Sequence, residues 1–109
     1  MSERLPSNLE VAAIIRRVEG EGGFATVLRK GDPDRGALVL SLQERGEFRG
    51  ILERELGPNF TYEWIFKDPG SESVDDLVAR KSRFDPDLWL IELDIADPER
   101  FIAETTHSG

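Results

Sequence analysis

Two Asp-Pro-Asp tripeptides, Asp32-Pro33-Asp34 and Asp85-Pro86-Asp87, are the residues of this chain best suited to chemistry. If the fold brings the two turns together, four carboxylates meet. A divalent cation requires such a cluster of hard oxygen ligands. Neither stretch has the alternating ligands, sixth-position Gly and closing Glu of an EF-hand loop. The competing reading is architectural, because Asp opens Asx-turns and Pro fixes φ within them. Glu92 and Asp94 lie two apart on one strand face and could divide acid and base roles if their environments differ. Two solvated acids on the sheet edge have the same spacing. Arg16, Arg17, Arg29, Lys30 and Arg35 form the basic cluster of the N-terminal third, able to hold a phosphate or an acidic partner, or to pair with acids of the second half. The neighbouring Gly22-Gly23 would admit a ligand to the backbone but has neither Walker nor dinucleotide spacing. The candidate binding residues are therefore Arg16, Arg17, Arg29, Lys30, Asp32, Asp34, Arg35, Asp85, Asp87, Trp89 and Glu92. No catalytic residue, metal ligand or cofactor is assigned.

Composition narrows the classes further. The chain has 109 residues, which suits one domain with one core. It has no Cys, and so no disulfide, thiol nucleophile or thiolate metal site. Its single His, His107, falls in the expected terminal tail, which leaves a Ser-His-Asp mechanism without support. The net charge is −8 and unevenly placed. Residues 1–36 carry six acids and six bases, and from Asp85 to Glu104 seven acids face Arg100 alone. Such a field repels phosphate backbones and argues against nucleic acid as a partner. No apolar run reaches the ~18–20 residues that span a bilayer. The first residues lack the apolar core of a signal peptide, so a cytoplasmic setting is expected.

The elements that must position these residues centre on Leu88-Trp89-Leu90-Ile91-Glu92-Leu93-Asp94-Ile95. Trp89, Ile91, Leu93 and Ile95 share one face, while Leu88 and Leu90 start the other. That pattern predicts a central strand, buried on both faces at its start. Trp89 alone contributes at least ~1.5–3 kcal/mol when buried, and its indole N–H then needs an acceptor. Upstream, Ser7-Asn8-Leu9-Glu10 has the form of a capping box, and Val11, Ile14, Ile15 and Val18 make one helical stripe ending near Gly20. Phe24–Lys30 and Ala37–Gln43 read as two strands of a hairpin joined by the turn at 31–36. Residues 48–56 are ambiguous: Phe48, Leu52 and Leu56 suit a helix, but Gly46, Gly50 and Gly57 favour a strand. Phe60, Tyr62, Trp64 and Phe66 alternate with Thr61, Glu63, Ile65 and Lys67, a fourth strand. Such a row could stack bases, although core packing suits the acidic chain better. Ser71 or Ser73 caps a helix through Val74, Leu77, Val78 and Lys81. Asp97-Pro98 opens a last helix to about Glu104.

Phe84-Asp85-Pro86-Asp87-Leu88-Trp89, with Lys30-Gly31-Asp32-Pro33-Asp34-Arg35-Gly36-Ala37, resembles the signatures of a family of short bacterial proteins. The family is mainly alphaproteobacterial and is classed as a domain of unknown function. Ile14-Ile15-Arg16-Arg17 and Gly22-Gly23-Phe24-Ala25-Thr26-Val27 agree in order, and Trp64 falls where the family has an aromatic. The resemblance spans roughly residues 5–97. It implies a shared fold and a cytosolic bacterial setting, and it carries no mechanism.

The expected architecture is α+β: a mostly antiparallel five-stranded sheet with helices on one face, in the order α-β-β-β-β-α-β-α. Residues 1–6 are expected to be flexible, 7–104 to form one domain and 105–109 to fray. The expected role is a small non-catalytic module that binds another protein or a second copy of itself. The alternative is a small-molecule or divalent-metal binder, or an enzyme, built on the Asp-Pro-Asp turns.

Overall fold

The apolar run that begins at Trp89 becomes a strand with neighbours on both sides. In a computed structural model, which describes residues 5–107, the chain runs α1 (Ser7–Gly20), β1 (Phe24–Arg29), β2 (Leu38–Glu44), β3 (Glu47–Leu56), β4 (Tyr62–Lys67), α2 (Val74–Phe84), β5 (Trp89–Asp94) and α3 (Pro98–His107). The element order is the one expected. Residues 1–4 of the expected flexible N-terminus, and residues 108–109 of the expected frayed tail, lie outside the described residues.

The strands line up as β1-β5-β2-β3-β4. β5 pairs antiparallel with β1 and parallel with β2; the β2–β3 and β3–β4 pairs are antiparallel. The sheet is therefore mostly antiparallel with one parallel pair. The β1–β2 hairpin expected from the short 31–36 turn does not form, because β5 lies between the two strands. Burial explains the choice. Leu90, Ile91 and Leu93 are completely shielded, and a run apolar on both faces loses most water contact where strands flank it on each side.

Helices cover both faces of the sheet, which corrects the expectation of one. Under α1 and α3, Trp89, Ile91 and Leu93 pack with Leu38, Leu40, Leu42 and Leu52 against Val11, Val18 and Phe101. On the reverse face, Leu88 and Leu90 join Val39 and Ile51 under Leu77 of α2, with Val78 and Phe48 at the margin. Leu88 and Leu90 needed a cover of their own, and the amphipathic stripe of α2 supplies it.

β3 resolves the ambiguous segment in favour of a strand. Its register with β2 shifts beside Gly50, which has φ +137°. A Cβ there would stand 2.6 Å from the Phe66 ring. Glycine within a strand pattern marks such a bulge and close approach.

Two end effects also differ from expectation. Ser7 is not a capping-box serine: Pro6 occupies the N-cap with no side-chain bond. The buried Ser7 hydroxyl instead donates to the Gly36 carbonyl at 2.6 Å, fastening α1 to the 31–36 turn. At the other end, α3 is helical through His107, so the frayed tail does not begin at 105. Buried Thr105, which accepts from Arg17 at 3.5 Å, holds the last turn down. Among the described residues no helix is long and apolar enough to cross a membrane.

Burial on both faces of β5 has a direct test. Leu90→Ala and Ile91→Ala point to opposite faces, and each should cost about 2–4 kcal/mol in urea unfolding. A near-neutral result for either would contradict the two-sided core.

Candidate functional site

The two Asp-Pro-Asp turns meet, and they do so through their backbones. The Asp32 N–H donates to the Asp87 carbonyl at 3.0 Å. The Trp89 indole N–H donates to the Asp32 carbonyl at 2.7 Å, which gives the buried ring its required acceptor. Gly31 and Gly36 permit the approach, since a Cβ on them would stand 2.2 and 2.3 Å from the Asp87 carbonyl oxygen. The carboxylates are engaged locally. That of Asp32 accepts from the N–H groups of Asp34 and Arg35 at 3.1 and 2.8 Å, and that of Asp85 accepts from Asp87 N–H at 3.1 Å. These are Asx-turns. Among the described residues no group of three or more His, Asp or Glu side chains could hold a metal ion. The four-carboxylate cation site envisaged from the sequence is therefore not assembled, and the junction is a structural clasp.

The basic cluster is dispersed. Arg17 lies over the Phe101 ring at 4.3 Å and pairs with Glu104 at 3.3 Å and Glu21 at 3.5 Å, joining α1 to α3. Arg29 donates to the Pro86 carbonyl at 2.7 Å and so braces the clasp. Arg16, Lys30 and Arg35 are exposed at separate places. Asp34 and Asp87 are exposed beside the clasp. Glu92 is not on a solvent edge: it sits half-buried on the central strand and accepts from Gln43 at 2.8 Å. Asp94 accepts from Arg45 N–H at 3.2 Å. Both carboxylates thus accept hydrogen bonds from within the fold. The aromatic row divides, with Trp64 and Phe66 against the core and Phe60 and Tyr62 exposed.

Sequence reasoning missed two partly buried ionic links. Arg54 forks onto Glu10 of α1 at 2.6 and 3.1 Å and lies 5.0 Å from the Trp64 ring. On the opposite face Glu53 bonds Lys81 of α2 and lies 2.6 Å from Lys67 of β4. Burial alone would push the Glu53 carboxyl up, but its bonds to Lys67 and Lys81 outweigh that and hold it below its ordinary value. Adjacent residues on a strand point to opposite faces, so Arg54 and Glu53 could have been assigned to different layers. Their partners, 44 and 28 residues away, carry no local signal.

The cavities differ in size and enclosure. The most enclosed, between the α1–β1 and β5–α3 turns, is lined by Val18, Gly23, Ile95, Asp97 and Phe101 and holds about 130 Å³. Shallower and more open ones hold about 280 Å³ beside Arg54, Lys81 and Asp85, and about 480 Å³ beside Pro6, Asp34, Arg35 and Tyr62. A further surface feature is an edge. β1 pairs only with β5, and its outer side carries no strand among the described residues. Phe24 is 73% exposed, Val27 40% and Leu28 39%.

A sequence profile described as a protein of unknown function (DUF1491) matches residues 5–103. The chain belongs to the DUF1491 family. A crystal structure of a DUF1491 protein from Caulobacter crescentus is 32% identical, with a TM-score of 0.79, covering 90% of this chain and 94% of that one. The NMR structure of a DUF1491 protein from the same bacterium is 31% identical, with a TM-score of 0.73 and coverage of 92% and 94%. The solution structure of a protein from A. tumefaciens is 30% identical, with a TM-score of 0.62 and coverage of 84% and 86%. No curated protein matches. DUF1491 thus has a shared fold, and the family brings no assigned activity.

Three substitutions test the clasp and the ionic link. Trp89→Phe removes one bond to the Asp32 carbonyl and should cost about 1–2 kcal/mol. Gly36→Ala, which drives a methyl into backbone, should cost more than about 3 kcal/mol by chemical denaturation. For Glu53 the folded-state value is depressed, so its contribution is present above the ordinary value of 4.5 and is lost as pH falls through the folded value. Glu53→Gln should therefore be less stable than the native chain at neutral pH, and the two melting curves should converge below pH 4.5.

Proposed function

We propose that this DUF1491 protein is a non-catalytic interaction module of the bacterial cytoplasm that docks a protein along the outer edge of β1. The single observation carrying this reading is the character of that edge. Edge strands are ordinarily protected by charge, Pro, a β-bulge or a covering element, and β1 has one such irregularity, between Val27 and Arg29. From Phe24 to Leu28 there is no charged residue and no Pro, and Phe24, Val27 and Leu28 lie open to solvent. β4, at the other end of the sheet, carries Glu63 and Lys67, and Lys67 is tied to Glu53 and Glu55. An open strand edge recruits an extended segment by main-chain hydrogen bonding, and its side chains select the partner. The engagement of Asp32, Asp85, Glu92 and Asp94 within the fold supports binding over catalysis. The charge of −8 supports a protein partner over nucleic acid. The bacterial setting is supported by the relatives' organisms, and the cytoplasmic one by the sequence signatures that the family resemblance rests on.

A thermal-shift panel of divalent cations and nucleotides should leave the melting temperature of the full chain unchanged. A rise of several degrees that Asp34→Ala and Asp85→Ala both abolish would overturn the reading in favour of a ligand-dependent activity at the turns.

A further inference from the structure

The occupant of the β1 edge can be named from charge. We infer that β1 pairs antiparallel with β1 of a second copy, about a two-fold axis through the middle of the strand. This rests on the interaction reading above and specifies its partner. With −8 on each chain, two copies repel over most approaches. Residues 1–36, with six acids and six bases, carry none of that net charge, and β1 lies within them, with Asp94 and Glu92 of β5 beside Phe24 and Thr26. Within the strand only its last residue, Arg29, is charged, and it donates to the Pro86 carbonyl; in an antiparallel pair the uncharged stretch Phe24–Leu28 of one copy would run along that of the other.

The flanking charges set the direction. Glu19 and Glu21 precede β1, while Arg29 and Lys30 end and follow it. Lys30 is exposed and makes no ion pair among the described residues; Glu21 is half-exposed and holds only its i,i+4 bridge to Arg17 at 3.5 Å. In a parallel pair like charges would lie together. In an antiparallel pair, Lys30 of one copy meets Glu21 of the other, and the two-fold repeats the contact. Two five-stranded sheets would then continue as one through their β1 edges, and the same patch would serve on both copies, as a closed dimer requires. The β4 edge does not offer this, because Glu63 and Lys67 interrupt it.

Sedimentation of the full chain from micromolar to millimolar concentration, across ionic strengths, gives the first readout. A reversible dimer is expected. Lys30→Glu places like charges together twice and should weaken it about tenfold or more. Adding Glu21→Lys to that variant should restore the native affinity to within about threefold. Circular dichroism and melting temperature, expected to stay native for these exposed sites, separate a lost contact from a lost fold. A strict monomer, or a charge swap that fails to rescue, would overturn the self-pairing. A photocrosslinking phenylalanine analogue at position 24, used in cells, distinguishes the two levels. An adduct of twice 12.3 kDa supports the dimer. A discrete adduct of another mass overturns the dimer and leaves the interaction reading standing. No adduct from this edge overturns both.

Discussion

The sheet depends on β5 occupying the slot between β1 and β2. Those two strands are joined by only a few residues, and yet they are kept a full strand apart. The 31–36 turn makes this possible by crossing the entry of β5. Its Gly31 and Gly36 lie against the Asp87 carbonyl, and its Asp32 offers a donor to that carbonyl and an acceptor to the Trp89 indole. Ser7 fastens the first helix to the same turn. Three distant parts of the chain thus meet at one small, mostly backbone junction. Because an unsatisfied buried indole or carbonyl is costly, the junction also selects one register for β5.

The clasp explains what the residues that look most chemical do within the fold. Asp-Pro-Asp twice over reads as eight possible oxygen ligands. In the fold, the leading carboxylate of each turn closes on nearby amides, and the carbonyls carry the long-range contact. Acidic residues elsewhere follow the same economy: Glu10, Glu53 and Glu104 join helices to strands or to one another. Much of the acidic charge that remains is solvated surface, which keeps a small protein dispersed.

What the sequence made legible follows from the range of each interaction. The strand at 89–94, the cap at Ser73 (one of the two serines that could serve) and the cap at Asp97 are local patterns, and they appear where expected. Leu88 and Leu90 announced a reverse-face core before α2 was known to cover it. Strand order was not legible, because β1 and β2 are each adequate partners for a neighbour in sequence, and only two-sided burial of β5 excludes the hairpin. Ser7 illustrates a local pattern overridden: its hydroxyl had a helix amide within reach and a carbonyl 29 residues away, and the buried carbonyl won. The aromatic row was half right, since alternation sets a face but not how far the core extends beneath it. The open edge was hidden for the same reason as strand order, as a strand cannot be called terminal until its neighbours are counted.

Strand order has a consequence for biosynthesis. β2, β3 and β4 form a meander of neighbours and can assemble soon after they leave the ribosome. β1 is made before them, yet its partner is the last strand translated. For most of synthesis the apolar segment Phe24–Leu28 has no native mate, and long-range pairings of this kind close slowly. The nascent chain is most exposed to mispairing during that interval, so production of intact protein should be limited by the arrival of residue 94 rather than by the stability of the finished sheet.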